Sequence, residues 1–451
     1  MKISFYGGAQ MVTGSNYVLE HNGKRVMIDC GLLQGKEFAA GDNYTPFTYT
    51  LTDIDALIVT HAHLDHTGRI PKLVREGFKG AIYSTVPTKE FSDLMLEDSM
   101  GVLAKEALET GRKPIYERID IDHAMQLWKT VSYDEVIQIG DLHIILKNAG
   151  HVLGSSIAEI RGGGNVVLFS GDLGNIPSPL LSPYVPPKGI THMVLESTYG
   201  DRTHETPEER VTKLERAIED TIKAGGTLMI PAFALERTQE LLYEIHRLIE
   251  EGRVPRVPVF LDSPLAIKAT AVFRRNGKFL NSELKSHIRG GEDVFHFPGL
   301  EATATSDESR KINNVVGPKI IIAGAGMMQG GRIMHHAKRY LPDAKSTLLI
   351  VGYAAAGTLA RKLIEGATSV TIHREHIPVR ARIMKINGYS AHADHDQLMD
   401  FVQSTNDTLK SVMLIHGEPK AALFLSQRIR DYLGVMTAIP KSGESIELSS
   451  D

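Results

Sequence analysis

At 451 residues the chain is too long for one ordinary hydrophobic core, so two domains are expected. Its 42% hydrophobic and 23% charged residues describe a soluble globular protein, and no apolar run approaches the roughly 18 residues of a membrane span. A net charge of −4 excludes a protein that is basic throughout, while a local basic cleft for nucleic acid is compatible with it.

Residues 1–8 read as a strand and turn, without a secretory signal pattern. Residues 1–60 continue as short strands broken by turns. One of these, 25–28, ends at Asp29. A carboxylate there can orient a ligand histidine from behind, or simply form a turn. The single cysteine, Cys30, excludes an intramolecular disulfide and suits a reducing cytosol; it is read as a small core residue.

The most informative stretch follows an apolar strand at 56–59: His61, His63, Asp65 and His66, just ahead of a helical pattern from residue 67. Imidazole and carboxylate together suit Zn²⁺ or a similar borderline divalent ion. On a turn, His61 and His63 can point one way and Asp65 and His66 another, so one segment can serve two adjacent metals. A strand at 81–84 comes next, then two or three outer helices over 86–130, with Trp128 in a packing role. The strand at 142–146 leads to His151, which stands beside glycines. The strand at 165–169 leads to Asp172, whose carboxylate can bridge two cations. Far downstream, the strand at 411–415 ends at His416. A histidine after a strand is more often packed or solvated than a ligand. The recurrence of strand end, glycine neighbour and metal-type side chain is what points to a metal centre.

Between these ligands, strand–loop–helix units recur with strands at 227–230, 257–261, 319–322 and 348–351. That repetition predicts a parallel sheet covered by helices. Residues 276–317 interrupt it with a less regular segment. Because metal-type residues resume at His416, the region reads as an insertion within the metal-binding domain. The Gly-rich loop 324–332 opens a helix, so its backbone N–H groups around Gly326, Met327 and Gly330 can cradle phosphate, with Arg332 adding charge. A plain structural turn is the competing reading. Arg237 is a further phosphate candidate, equally readable as a solvated helix residue. His335 and His336 are expected at the surface or behind the loop rather than as ligands.

Taken together, His61 to His66, His151, Asp172 and His416 resemble, in order and spacing, the ligand series of the metallo-β-lactamase superfamily. The stretches 195–200, 390–394 and 415–418 resemble the acidic and histidine motifs of its β-CASP nucleases, and the similarity spans essentially the whole chain. The resemblance implies an α/β fold: a metallo-β-lactamase αββα sandwich, residues 1–198 and 384–451, with an inserted parallel-sheet α/β β-CASP domain at 199–383. It implies two Zn²⁺ per chain, with Mn²⁺ as the alternative. His61, His63 and His151 would hold one ion, Asp65, His66 and His416 the other, and Asp172 would bridge. His392 would be the general acid and Glu196 its carboxylate partner, with Asp65 in the catalytic set. Family members often carry a serine in the loop where Gly324 and Ala325 stand here. Archaeal members often have RNA-binding modules ahead of the catalytic domain, and this chain is expected to open directly at that domain.

The implied activity is hydrolysis of single-stranded RNA by a hydroxide that the metal pair activates, in RNA processing or degradation. The implied setting is cytoplasmic, without a membrane partner and with a homodimer left open. Exonuclease and endonuclease action are both compatible. Three other readings stay open: a thioesterase- or lactonase-type hydrolase, a DNA-directed β-CASP nuclease, and a non-catalytic scaffold.

Overall fold

In the computed structural model, which describes residues 1–34, 42–352, 354, 355 and 357–449, the chain divides into two units. One comprises residues 1–203 with 392–451 and the other residues 204–391.

The first unit contains two seven-stranded sheets. In one, Ser445–Glu447, Lys2–Gly7, Asn16–His21 and Lys24–Ile28 pair antiparallel, and Ala56–Ile58, Ala81–Ser84 and Trp128–Thr130 continue in parallel. In the other, Met436–Ala438, Ser411–Ile415, His192–Glu196 and Asn165–Phe169 run parallel, followed antiparallel by Ser156–Gly162, Leu142–Asn148 and Val136–Ile139. Strand side chains alternate between faces, so consecutive residues enter different layers. Val26, Ile28 and Ile58 join Ile144, Val167, Phe169, Val194 and Met413 in the central layer. Met27, Leu57 and Val59 instead pack with Ile70, Leu73 and Ala124, which lie on or beside the helices Ile70–Arg75 and Arg118–Leu127. On the opposite outer face, Leu168, Met193 and Leu195 meet Leu398, Phe401, Leu425 and Ile429 of the helices His395–Gln403 and Pro419–Leu433. Two outer helical layers around two sheets make the αββα sandwich.

The second unit is built on a six-stranded parallel sheet in the order Leu300–Ala302, Val259–Asp262, Lys319–Ala323, Thr227–Pro231, Thr347–Val351, Arg382–Ile386. Both faces are covered, which is why its central strands are continuous apolar runs. Leu228, Ile230, Ile320 and Ile322 face Leu214, Ile218, Leu241 and Ile245 of the helices Pro207–Ala224 and Arg237–Glu250. Met229, Ile321, Leu348 and Ile350 face Ile333, Ala337, Ala360 and Leu363 on the other side. The four strands expected from the sequence are present, with two more at the edges. Leu300–Ala302 and Arg382–Ile386 are only partly buried, so neither carries the apolar run that marks a central strand. The irregular stretch 276–317 also holds two short helices, Ser282–Arg289 and Ser306–Lys311. No helix among the described residues is long and apolar enough to cross a membrane.

Candidate metal centre

The residues singled out in the first unit converge from loops that follow strand ends. Beyond Ala56–Ile58 the chain places His61 and then His63, which stands just ahead of the short helix Leu64–Thr67. The backbone N–H groups of His66 and Thr67 donate to the His63 carbonyl at 2.9 and 3.0 Å, so this turn fixes the relative positions of His63, Asp65 and His66. Gly31 is required beside it, because a Cβ there would lie 1.5 Å from the Asp65 carbonyl oxygen. Gly417 has the same role at the far strand, where a Cβ would come within 2.2 Å of Ser197 Oγ. Asp29 and His416 adopt left-handed backbone at φ 57° and 45°, a conformation sparsely populated by non-glycine residues and concentrated at functional sites.

Asp172 divides the cluster in two. Its Oδ2 faces His61 Nε2 at 3.4 Å and His151 Nε2 at 3.5 Å. His63 Nδ1 completes that group, 3.1 Å from His61 Nε2 and 3.3 Å from His151 Nε2. Asp172 Oδ1 faces His66 Nε2 at 3.3 Å and His416 Nε2 at 3.7 Å, and His416 Nε2 lies 3.7 Å from Asp65 Oδ2. This Oδ1 is buried and accepts no hydrogen bond of ordinary geometry among the described residues. Tetrahedral Zn²⁺ with bonds of about 2.0–2.1 Å has donor–donor edges of roughly 3.3 Å. The spacings of both groups fall around that edge, and nitrogen and carboxylate oxygen are the donors that the ion takes. Each group can therefore coordinate a divalent cation.

Hydrogen bonds behind the cluster set which ring nitrogen faces inward. Asp29 Oδ2 accepts from His66 Nδ1 at 2.7 Å and also from Thr60 Oγ1 at 2.7 Å, while its Oδ1 accepts from the Thr60 N–H at 2.8 Å. With its only proton given to Asp29, the Thr60 hydroxyl is left to accept from His61 Nδ1 at 3.2 Å. Ser15 Oγ lies 2.9 Å from His416 Nδ1. These contacts leave Nε2 of His61, His66 and His416 free to bind a cation. Ser15 and Thr60 escape a reading of the sequence, because a hydroxyl beside a turn has no distinguishing pattern. Adjacency to His61 was the one available clue for Thr60.

The electrostatics agree with that division. Burial pushes His61 well below the ordinary histidine range and His63 and His416 down to about 4, a direction that favours the neutral ring needed for ligation. Burial opposes ionisation of Asp172, but the His416, His66 and His61 rings outweigh it and hold the carboxyl well below its usual range. Burial likewise opposes charge on His66, and Asp172 and Asp29 overcome it, raising the ring well above its usual value. A cation on His66 Nε2 would satisfy the same two carboxylates that the proton does.

His392 and Glu196 stand beside this cluster. Glu196, fully buried at the end of His192–Glu196, accepts the Leu173 N–H at 2.7 Å. His392 Nδ1 is 3.2 Å from both Glu196 oxygens and 3.8 Å from Asp172 Oδ2. Burial would lower the His392 pKa, but Glu196 and Asp172 raise it to about 9.

The remaining candidates lie in the second unit. The Arg332 guanidinium donates to Asp262 Oδ1 at 2.7 Å and to the Thr303 and Ala304 carbonyls at 2.7 and 2.9 Å. His336, only 3% exposed, donates to Asp262 Oδ2 at 2.7 Å. Arg237 is buried against Glu240 and stacks over Tyr389, with its guanidinium carbon 5.6 Å from the ring centre. The loop carrying Met327 and Gly330 is tight. Gly326 packs against Phe233, where a Cβ would lie 2.9 Å from the ring.

Three family models match the chain: the metallo-beta-lactamase superfamily over residues 11–219, the Beta-Casp domain over 238–363, and the Zn-dependent metallo-hydrolase RNA specificity domain over 376–440. Ribonuclease TTHA0252 of Thermus thermophilus is 36% identical, covering 99% of this chain and 100% of that protein. Transcription termination factor FttA of Methanosarcina mazei is 31% identical, covering 99% of this chain and 72% of that one. A crystal structure of a protein of unknown function from Enterococcus faecalis V583 shares the fold, with a TM-score of 0.59, 13% identity and 99% of each chain covered.

Proposed function

We propose that this chain, which belongs to the metallo-β-lactamase superfamily and to its β-CASP branch, is a metal-dependent ribonuclease that hydrolyses phosphodiester bonds of single-stranded RNA. The observation that carries the reading is the division of donors about Asp172, whose two oxygens face separate histidine groups. His61, His63 and His151 would hold one Zn²⁺, Asp65, His66 and His416 a second, and Asp172 would bridge them. When bound, such a pair supplies Lewis acidity, an acidified water and a shield for the phosphoryl oxygens.

The chain's own residues do the rest. Asp29, Thr60 and Ser15 hold the ligand rings in the binding tautomer. His392, held by Glu196, would give its proton to the departing 3′ oxygen, the step for which a positioned imidazolium is suited. Asp65, at the more open side of the cluster, would complete the catalytic set. Gly326, Met327 and Gly330 would present backbone N–H groups to the strand's phosphates. Arg332 would act mainly by holding that loop through Asp262, and Arg237 through its packing on Tyr389. A cytoplasmic location accords with the lone, buried thiol of Cys30. Every proposed ligand comes from one chain, so a homodimer would add to the centre without completing it.

The names of the relatives, a ribonuclease and a transcription termination factor, support RNA over a thioester or lactone. The test is digestion of RNAs bearing 5′-hydroxyl, 5′-monophosphate or 5′-triphosphate ends, labelled at each end in turn, with a thioester assayed beside them. Chelator-sensitive RNA cleavage is expected, and the label pattern separates exonuclease from endonuclease action. Thioester turnover without RNA cleavage would overturn the reading.

A further inference from the structure

Arg69 lies 8% exposed in the first unit, at the start of the helix Ile70–Arg75. Its Nε donates to the Gly31 carbonyl at 2.5 Å. No carboxylate among the described residues forms an ion pair with it. Its neighbour Lys72 is satisfied differently, by the Thr45 carbonyl at 2.6 Å and by Glu76 at 3.2 Å. A cation this deeply buried is ordinarily paired, because desolvating it without a partner is costly. Arg69 borders a cavity of about 240 Å³ that is also lined by Tyr6, Phe47 and Tyr49. These rings form a connected aromatic surface, with centroids 4.3 Å apart for Tyr6 and Tyr49 and 5.6 Å for Phe47 and Tyr49. Tyr49 is fixed by its hydroxyl, which donates to Asn16 Oδ1 at 2.7 Å. The guanidinium carbon of Arg69 lies 5.4 Å from the centre of the Phe47 ring.

A ligand suited to this cavity needs one negative group for Arg69 and one flat face for the rings. The volume lies below the roughly 300 Å³ lower end of sites for larger organic ligands, which favours a single compact unit. We propose that this cavity is a nucleotide-binding subsite, with the phosphate on Arg69 and the base against Tyr6, Phe47 and Tyr49. Aromatic faces accept any base and guanidinium groups pair with phosphate, so the subsite would be tolerant of sequence. The exposed Asp42 and Ser442 at its border offer polar groups to base edges. The nucleotide can be one unit of a bound strand or a free mononucleotide, and only the strand source rests on the ribonuclease reading.

The test measures binding to the intact protein as purified. The probes are AMP, inorganic phosphate and a phosphorothioate-linked pentaribonucleotide, followed by saturation-transfer NMR and calorimetry. Arg69→Gln should weaken nucleotide binding by about 10-fold, as expected for losing a charged hydrogen-bond donor. Tyr6→Leu keeps an apolar side chain, does not touch the Arg69–Gly31 bond, and should weaken nucleotide binding at least about 5-fold by removing a stacking face. Loss of AMP binding in these variants would assign a free nucleotide. Loss of pentanucleotide binding alone would assign the strand. Equal affinities in wild type and Tyr6→Leu, phosphate binding as tightly as AMP, or no binding of either nucleotide to wild type would overturn the proposal. Turnover is not read, so AMP binding that depends on Arg69 in a protein that cleaves no RNA would leave the subsite standing and remove the ribonuclease reading.

Discussion

Asp172 and His392 lie 3.8 Å apart, yet the geometry gives them different work. Asp172 touches both histidine groups, so Asp172→Ala should uncouple them. Elemental analysis should then find fewer than two metals per chain, with RNA hydrolysis abolished and most of the fold retained. Two metals with normal turnover would defeat the bridging role. His392 contacts Glu196 through Nδ1, so His392→Ala should keep the metals and near-normal RNA affinity while kcat falls by roughly 10²–10⁴. Glu196→Gln should lose less, and the two losses should not add, since both residues serve one proton transfer. A nitrophenyl phosphodiester, whose leaving group needs little protonation, should largely rescue His392→Ala and should not rescue His416→Ala. Metal loss in His392→Ala would remove it from the acid role. Ser15→Ala offers a milder case. Losing the contact to His416 Nδ1 should weaken metal affinity by about 10-fold or more, read by competition with a chromogenic chelator.

At the scale of elements, the carboxyl end of Val259–Asp262 holds the second unit's Gly-rich loop in place. Asp262 accepts from Arg332, His336, Thr303 and Ser309. Burial would raise its pKa, but the hydrogen bonds from His336, Ser309, Thr303 and Arg332 outweigh this and hold it at about 2. A folded pKa below the ordinary Asp value of about 3.9 means that the ionised form is the one favoured by folding. The contribution is complete above that ordinary value and is lost as pH falls through about 2. Asp262→Asn should therefore lower the denaturant midpoint at neutral pH, and the gap to wild type should close as the pH approaches 2. A gap independent of pH would show that the carboxylate's charge is not what anchors the loop. The sequence marked this loop and its arginine, but a guanidinium's partner depends on which strands lie beside it. Arg332 is therefore engaged with Asp262, and His336, expected at the surface or behind the loop, is buried beneath it.

For the whole molecule, metal binding and folding should be linked, because the donors meet only when the two sheets of the first unit are formed. Any ion that binds the folded chain alone stabilises it, by about 4 kcal/mol at a thousandfold excess over Kd. Zinc should raise the melting temperature of wild type, chelation should lower it, and Asp172→Ala should show a smaller span. An equal span in that variant would separate the metal's effect from this cluster. Binding of RNA should weaken with salt through counterion release. The metal-facing atoms are largely buried, so an unstructured strand should be cut faster than a hairpin stem of equal length. Equal rates would count against a recessed centre.

The αββα class was legible only through resemblance, whereas the sequence by itself determined the parallel sheet of the inserted region and the residue types of the metal centre. Both signals are local. Continuous apolar strands are required wherever helices cover both faces of a sheet, and only a few side chains ligate divalent metals. Placed after strand ends and beside glycines, His61, His151, Asp172 and His416 are therefore conspicuous in one dimension. The tertiary structure alone decided which oxygen of Asp172 faces which histidines, that Ser15 and Thr60 orient the rings, and that short polar strands close the edges of the second sheet. It also left Arg69 buried beside an aromatic cavity, with no carboxylate partner among the described residues. These features arise from contacts between residues distant in the chain, and hydroxyls, arginines and edge strands carry no sequence pattern that fixes their partners.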